Sequence, residues 1–475
     1  MRNRIKFGTD GWRGAIARDF TFDNVNRVAA AIAIYINQQN LGSRGVVVGY
    51  DNRFLSKEFA EEVSEVMLSR GIPVYFSEKP IPTPVTAFAI KFYRTSGAVM
   101  ITASHNPPQH NGIKYIPEYA GPALPYITES IENILKMIID NKNGDYSGEK
   151  YTVNKKASLQ KFNIDNMYLE HIKKIIPFEE MKKNKLKIII DPMHGAGIGY
   201  LREIAEDLGW NLIEINNRPD PLFGGNLPEP TKERLHALRE WVIKSNANFG
   251  MALDGDADRF GIIDSDGTYI CPNEVLYILL NYLLNKRGWR GAVARTVATT
   301  HMLDEIAKKH NLELIETPVG FKYIGECLMK RGAILGGEES GGLSIKGHIP
   351  EKDGILANAL MMEIASLEGK NFREIIRDIQ AQFGRKVSGR LDVRCSEEKK
   401  IEVIGKLNSF SPEALQGKKV VRRITIDGLK LVMEDGSWCL IRPSGTETLF
   451  RIYAEAGDGV MVESVQQEVK EILGL

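Results

Sequence analysis

Short buried strands and amphipathic helices alternate in three successive stretches of this 475-residue chain, and that β-α-β grammar restricts it to largely parallel sheets covered by helices. In the first stretch Thr21 caps a helix whose apolar positions, Val25, Val28, Ile32 and Ile36, are spaced by three and four. Residues 46–50, Val-Val-Val-Gly-Tyr, read as a buried strand. Ser56 opens a second helix with Phe59, Val63, Val66 and Met67 on one face, stopped by Gly71. Residues 73–76 and 98–102 are further strands. The pattern returns with a strand at 187–191, a helix at 200–208 and strands at 212–215 and 248–253. It returns again with a strand at 292–295, a helix at 301–310 and strands at 312–315 and 333–335. The C-terminal part differs. Short strands at 420–426, 429–433 and 438–441 are separated by the hairpin turns Asp427-Gly428 and Asp435-Gly436. The expected architecture is α/β: three topologically similar α/β domains with mixed, largely parallel sheets, and a C-terminal α+β domain. The expected divisions are 1–150, 151–262, 263–384 and 385–475, with the polar residues 140–158 as the first linker.

At ~150 residues per domain the length itself asks for three to four domains. Hydrophobic residues at 43% and charged residues at 26% exclude a disordered or fibrous chain. Lys and Arg number 62 against 61 Asp and Glu, so no bulk positive charge points to nucleic acid, although a local basic pocket for a small anion is compatible. The four cysteines at 271, 327, 395 and 439 form no C-x-x-C pair, so neither a thiolate zinc site nor a disulfide scaffold is expected, and a reducing compartment is the default. No apolar signal segment follows Met-Arg-Asn-Arg-Ile-Lys, and no apolar stretch approaches the ~20 residues a bilayer requires. A cytoplasmic protein with no membrane partner is the expectation.

Ligands of open α/β sheets bind outside the carboxyl ends of the strands, so the loops there carry the functional question. The first is Thr102-Ala103-Ser104-His105-Asn106-Pro107-Pro108, with Asn111-Gly112-Ile113-Lys114 just beyond. Ser104 is a candidate nucleophile. His105, its neighbour on an extended chain, is expected to point away from it and so to be a poor base; taken alone, this loop reads as an Asn-Pro turn. The G-x-S-x-G elbow of α/β-hydrolases is absent. The second loop is Asp254-Gly255-Asp256-Ala257-Asp258-Arg259. Three carboxylates at alternate positions converge on one hard cation if the backbone curls. An EF-hand is excluded, because Arg259 replaces the turn glycine and Ser265 stands where the bidentate Glu belongs. The third loop, Gly337-Glu338-Glu339-Ser340-Gly341-Gly342, can present Glu338 and Ser340 to vicinal sugar hydroxyls, but on its own it reads as a glycine-rich turn. In the C-terminal part Arg442-Pro443-Ser444-Gly445-Thr446 follows a strand and has the composition of an anion cradle. Near the start, Gly8-Thr9-Asp10-Gly11-Trp12-Arg13-Gly14 sets Arg13 between glycines. The run from His194 to Gly199 has G-x-G-x-G spacing and misses the dinucleotide fingerprint. A serine, a carboxylate-bound cation, a hydroxyl reader and a phosphate cradle together point to phosphoryl chemistry on a sugar phosphate.

These motifs, in this order and over essentially the whole chain, resemble those of the α-D-phosphohexomutases, the phosphoglucomutase/phosphomannomutase type among them. The resemblance implies four domains around a central cleft and a Ser104 that carries a phosphoryl group. It implies one Mg²⁺ per chain on Asp254, Asp256 and Asp258, with the serine phosphate on Ser104 as a further ligand. Glu338 and Ser340 match the sugar-hydroxyl readers, and Arg442, Ser444, Gly445 and Thr446 match the clamp on the non-reacting phosphate. Lys114 matches a general acid/base, and Arg13 and Arg259 match active-site arginines. Lys322, in Thr317-Pro318-Val319-Gly320-Phe321-Lys322, falls in the sugar-specificity loop, and His105 is counted with the substrate-binding residues.

The implied reaction passes a phosphoryl group from Ser104 to a hexose 1- or 6-phosphate. The resulting hexose 1,6-bisphosphate, which also serves as activator, turns round before the second transfer. Trp12 and Glu339 resemble phosphoglucomutase-type members, so glucose is the expected sugar. The alternatives are a phosphomannomutase or bifunctional enzyme, a phosphoglucosamine mutase and a hexose bisphosphate synthase. A non-catalytic sugar-phosphate-binding protein is disfavoured by the intact Ser104, the three aspartates and Lys114. Small-molecule sugar phosphates are the expected partners, and the oligomeric state is left open.

Overall fold

The computed structural model of the chain describes residues 5–6, 11–140, 157–445 and 447–475. Gly8, Thr9 and Asp10 of the first glycine motif, residues 141–156 of the expected linker, and Thr446 lie outside the described residues. The chain separates into two compact units, residues 1–272 with 340–372, and residues 273–339 with 373–475. This division cuts across the span 263–384 expected as one domain. The helix Gly354–Leu367 packs on the strands Phe249–Leu253 and Phe260–Asp264, and the Asn358 amide donates to the Ala252 carbonyl at 3.1 Å.

The first unit holds two sheets. In the first, the strands are β1 (Trp12–Ala15), β2 (Val46–Tyr50), β3 (Val74–Ser77), β4 (Gly97–Ile101), β5 (His110–Pro117) and β6 (Leu159–Phe162), in the order β1-β5-β4-β2-β3-β6. β2, β3 and β4 match the predicted strands and pair in parallel; β2 and β4 are buried along their whole length, as strands covered on both faces must be. β1 and β5 are additional and antiparallel. β5, His-Asn-Gly-Ile-Lys-Tyr-Ile-Pro, carries loop-type residues in its first half, which hide it from a propensity reading. The antiparallel pairing sets Arg13 opposite Gly112 and Lys114 opposite Met100. β6 pairs in parallel with β3 and so extends this sheet past residue 150.

Thr21 caps the helix Phe22–Gln38, its hydroxyl accepting the Asn24 N–H at 3.3 Å. Ser56 does not cap its helix. Leu55 holds that position at φ 60°, and the Ser56 hydroxyl donates instead to Asp51 at 2.7 Å. Trp12 packs in the core with its ring centroid 4.8 Å from that of Phe20.

The second sheet contains β7 (Lys187–Asp191), β8 (Asn211–Glu214), β9 (Phe249–Leu253), β10 (Phe260–Asp264) and β11 (Tyr269–Ile270), in the order β11-β10-β9-β7-β8. β8, β7 and β9 are parallel, and β9 returns directly into antiparallel β10. In the second unit β12 (Ala292–Thr296) lies between parallel partners β13 (Leu314–Thr317) and β14 (Ala333–Gly337). The C-terminal sheet is antiparallel. The predicted strands are present as Lys418–Ile424, Leu429–Met433 and Trp438–Pro443, joined by Val387–Arg394 and Leu449–Ala456, which the sequence reading did not identify. The two Asp-Gly turns lie between the predicted strands, with Gly428 at φ 79° and Gly436 at φ 83°.

Candidate active site

Beyond Ile101 at the end of β4 the chain turns sharply. The Thr102 hydroxyl accepts the Ser104 N–H at 2.8 Å and donates to Asp51 at 2.6 Å. Ser104 adopts φ 51°, in the left-handed region that side chains disfavour. The expectation that His105 points away from Ser104 is therefore incorrect. Because the chain is bent here rather than extended, the Ser104 Oγ lies 3.2 Å from His105 Nδ1, and it donates to Asp254 Oδ2 at 2.9 Å.

The aspartate loop is the turn between β9 and β10, where Leu253 opposite Phe260 is the last ladder pair. It curls as the cation reading requires. Ala257 has φ 57°, and the Arg259 N–H folds back onto Asp254 Oδ1 at 3.0 Å. Gly255 is needed for close approach, since a Cβ there would sit 2.6 Å from the Ser104 carbonyl oxygen. The His194–Gly199 run contributes structurally: the Ala196 N–H donates to the Gly255 carbonyl at 2.9 Å.

Asp254, Asp256 and Asp258 are buried, and one oxygen from each lies within 4.8 Å of the others. Burial, then the Asp256 and Asp258 charges, raise the Asp254 carboxyl well above the ordinary range. Asp256 shifts the other way. Burial opposes its ionisation, but Lys114 Nζ at 2.9 Å and the Thr83 hydroxyl at 2.6 Å, both on Oδ2, hold it below the usual carboxylate value. Lys114 also lies 3.2 Å from Asp258 Oδ2. Asp256 Oδ1 and Asp258 Oδ1 are buried without a hydrogen-bond partner among the described residues. Orphaned buried carboxylate oxygens are costly, and converging hard oxygens are what a divalent cation takes. The three aspartates thus fit a metal ion.

The arginines flank this cluster. Arg13 donates to Asn106 Oδ1 at 3.0 Å, and Arg259 Nη1 lies 3.3 Å from Glu229 Oε1. His105 registers the surrounding positive charge. Burial first, then Arg259, Arg13, Lys114 and Arg53, push its imidazole well below the ordinary value. Ser104, His105, Lys114, Arg13, Arg259 and the three aspartates are thus brought together in the first unit.

Sequence reasoning missed several contributors. Thr83 opens the helix Thr83–Tyr93 and reaches Asp256. Lys352 Nζ lies 3.4 Å from Asp258 Oδ2 and 3.1 Å from Glu351 Oε1. The charged run Glu351-Lys352-Asp353, directly before a helix that Asp353 caps, was the available signal. Arg53, between β2 and the helix Ser56–Ser69, reaches the serine loop.

The other predicted residues that are described, apart from Ser340, belong to the second unit. Glu338 Oε1 accepts the Gly320 N–H at 3.0 Å, tying the sugar-loop motif to the 317–322 segment. Lys322 is the second residue of the helix Phe321–Lys330, with Nζ 5.3 Å from the Tyr323 ring centroid. Arg442 Nε donates to Asp427 Oδ2 at 2.8 Å, and the same oxygen accepts the Val319 N–H. Lys400 donates to the Ser444 carbonyl at 2.7 Å, and the Ser444 hydroxyl accepts the Glu447 N–H at 3.2 Å. Gly445 is exposed beside them. Ser340, half-buried in a turn before Gly341 at φ 94°, begins the segment that clusters with the first unit.

Four family profiles match the chain in order. Phosphoglucomutase/phosphomannomutase alpha/beta/alpha domain I covers residues 4–142, domain II 166–267, domain III 271–383 and the C-terminal domain 391–472. A phosphoglucomutase/phosphomannomutase of Thermococcus kodakarensis is 31% identical over 95% of this chain and 94% of its own. A "Probable phosphoglucosamine mutase" of Pyrococcus abyssi is 32% identical over 98% of this chain and 97% of its own. The crystal structure of a "putative phosphomannomutase" from Thermus thermophilus matches with a TM-score of 0.86 at 30% identity, covering 100% of both chains.

Proposed function

The chain belongs to the phosphoglucomutase/phosphomannomutase family and is an isomerase-type phosphotransferase, and from that premise we propose that it interconverts hexose 1-phosphate and hexose 6-phosphate, glucose foremost, through a phosphorylated Ser104 and a hexose 1,6-bisphosphate. The observation that supports this best is the hydrogen bond from Ser104 to Asp254, inside a buried carboxylate group with two oxygens unpartnered among the described residues.

Asp254, Asp256, Asp258 and the Ser104 side chain would hold Mg²⁺, which when bound neutralises charge on the transferring phosphoryl group. The chain's own residues do the rest. The left-handed turn at Ser104 presents its Oγ to Asp254, and His105 Nδ1 stands within hydrogen-bond reach of the same oxygen. In the forward transfer the sugar hydroxyl oxygen forms a new bond to phosphorus while the bond from phosphorus to the Ser104 Oγ breaks. Arg13 and Arg259 add positive charge beside the serine loop. Lys114, poised on Asp256 and Asp258, serves as the general acid/base: as the free amine it takes the proton that the attacking sugar hydroxyl loses, and the departing Ser104 oxygen takes up one proton in return. Glu338 reads sugar hydroxyls, with Ser340 as a second reader, and Lys322 marks the specificity segment. Arg442, with Ser444 and Gly445, holds the phosphate that is not reacting.

The Lys114 role predicts that Lys114→Met lowers kcat far more than it raises KM. Steady-state kinetics with the 1-phosphate checks this, and a change confined to KM would make Lys114 a binding residue. For the clamp, a bidentate charge-assisted contact worth ~1.5–3 kcal/mol corresponds to about ten- to a hundredfold in binding. Arg442→Ala should therefore raise KM for the 1-phosphate and the 6-phosphate alike while leaving Ser104 phosphorylation intact. Unchanged KM in both directions would reduce the cradle to a turn.

The choice of glucose rests on Glu339 and Trp12. Trp12 is a core residue packed on Phe20, so its identity is under packing control. Glu339 Oε2 accepts from the Thr296 hydroxyl at 3.0 Å, which places its carboxylate at the end of β12. Glu339 therefore carries most of the sugar preference in this reading. The deciding experiment is ³¹P NMR of the purified protein with Mg²⁺, a trace of glucose 1,6-bisphosphate, and glucose, mannose or glucosamine 1-phosphate in turn. Fastest conversion of the glucose ester is the expected result; a faster glucosamine or mannose ester overturns the sugar assignment and leaves the reaction class standing.

A further inference from the structure

We propose that Arg53 is a positioning residue for the phosphoryl-carrying loop: its guanidinium gathers the loop's carbonyl groups and so holds Ser104 in its left-handed conformation. The inference rests on the reading of Ser104 as the phosphoryl carrier. Arg53 is buried, and its two terminal nitrogens serve four carbonyl oxygens of one loop. Nη2 donates to Ser104 O at 2.5 Å and Asn106 O at 2.7 Å; Nη1 donates to Pro107 O at 2.9 Å and His110 O at 3.0 Å. Nε lies 3.2 Å from Asp51 Oδ2, and neither side chain has exposed surface. Asp51 accepts from the Thr102 hydroxyl, which accepts the Ser104 N–H. Both peptide groups that flank the Ser104 Cα are thereby tied to one buried ion pair, the N–H through Thr102 and Asp51, the carbonyl through Arg53. The Phe223 ring, with its centroid 4.9 Å from the Arg53 Cζ, packs on the guanidinium.

The loop's sequence explains why an arginine is needed. In Asn106-Pro107-Pro108 the peptides after Asn106 and Pro107 carry no N–H, so this stretch cannot form a regular ladder and its carbonyls need an outside donor. A planar guanidinium with five N–H groups can serve several carbonyls and a carboxylate at once; an ammonium with three cannot. A trans peptide aims its C=O and N–H in opposite directions, so drawing the Ser104 carbonyl onto Arg53 turns the His105 N–H away from it. Ser104 at φ 51° persists only because its surroundings over-determine it, and Arg53, with hydrogen bonds to four carbonyls here, is part of those surroundings.

The test uses the full chain with Mg²⁺. Arg53→Ala should lower kcat about a hundredfold or more while KM for the hexose phosphate moves by less than about threefold, the pattern of a lost geometric constraint. Guanidinium chloride at ~20–50 mM should partly restore kcat and methylammonium should not, because only the former offers planar N–H pairs. Arg53→Lys should stay at least about tenfold slow despite its charge. A folded Arg53→Ala protein with kcat within threefold of the parent, or one in which guanidinium does no better than methylammonium, overturns the proposal. If Arg53→Ala does not fold, Arg53→Gln, which leaves a smaller void than alanine and keeps two N–H donors, takes the same comparison. Intact-mass mapping of the parent protein separates the two levels. Phosphate absent from Ser104 overturns the proposed function and this inference with it, whereas phosphate on Ser104 with an unimpaired Arg53→Ala protein overturns the role of Arg53 alone.

Discussion

Ser104→Ala removes turnover almost completely, by a factor on the order of 10⁴ or more, while the protein keeps its fold, because the substitution deletes the atom proposed to carry the phosphoryl group and little else. The Ser104 hydroxyl makes its hydrogen bonds with His105 and Asp254. The N–H bond to Thr102 and the carbonyl bond to Arg53 that set the turn involve backbone groups of Ser104 and survive the substitution. Alanine at φ 51° is no more strained than serine. The thermal midpoint should therefore stay close to that of the parent. Kinetics, intact-mass mapping of phosphate and circular dichroism check the three parts. A mutant that turns over normally, or phosphate mapped to another residue of the parent, would remove Ser104 from the mechanism.

Asp256→Asn comes next in size. The amide keeps the shape but removes the charge that Lys114 and Thr83 stabilise. It also takes away a carboxylate oxygen that has no partner among the described residues and that the proposed function assigns to the metal. Turnover should fall by about three orders of magnitude, and the Mg²⁺ concentration for half-saturation should rise. Calorimetric Mg²⁺ titration of both proteins checks the second part; an unchanged affinity would mean that the metal lies elsewhere.

The same cluster fixes a pH dependence. Asp254 has a native-state pKa well above its unfolded value, so its contribution to stability is fully present below the unfolded pKa. That contribution is lost as pH rises through the raised native value. Asp256, held low, contributes in the opposite sense: its stabilisation is present above the ordinary carboxylate range and is lost only in acid. A cation bound at this cluster would replace the proton on Asp254 and relieve the repulsion. Mg²⁺ should consequently raise the melting temperature more at pH 8 than at pH 5, measured by scanning fluorimetry with and without the ion. A larger effect at pH 5 would contradict the charge assignment.

The part of the molecule legible in the sequence is local. Five buried residues in a row make β2, spacings of three and four make the helix Phe22–Gln38, and Thr21 caps it through a contact three residues away. The alternate aspartates of 254–258 likewise determine, within one short turn, where a cation can go. What tertiary structure decided is which distant segments meet there. Arg13 and Lys114 reach the cluster because β1 and β5 pair antiparallel, and β5 is rich in Asn, Gly and Pro, so its strand state comes from its neighbours rather than from its own preferences. Ser104 touches His105 in a bend whose N–H and carbonyl groups connect, through Thr102 and directly, to a buried Asp51–Arg53 pair about fifty residues earlier in the chain. Lys352 joins Asp258 because the helix after it packs on β9 and β10. Sequence alone determined the chemistry each short motif can perform, since spacing within a turn or helix is set by covalent geometry. Only the folded chain decided the company those motifs keep, since contacts between segments depend on burial and pairing that no local pattern encodes.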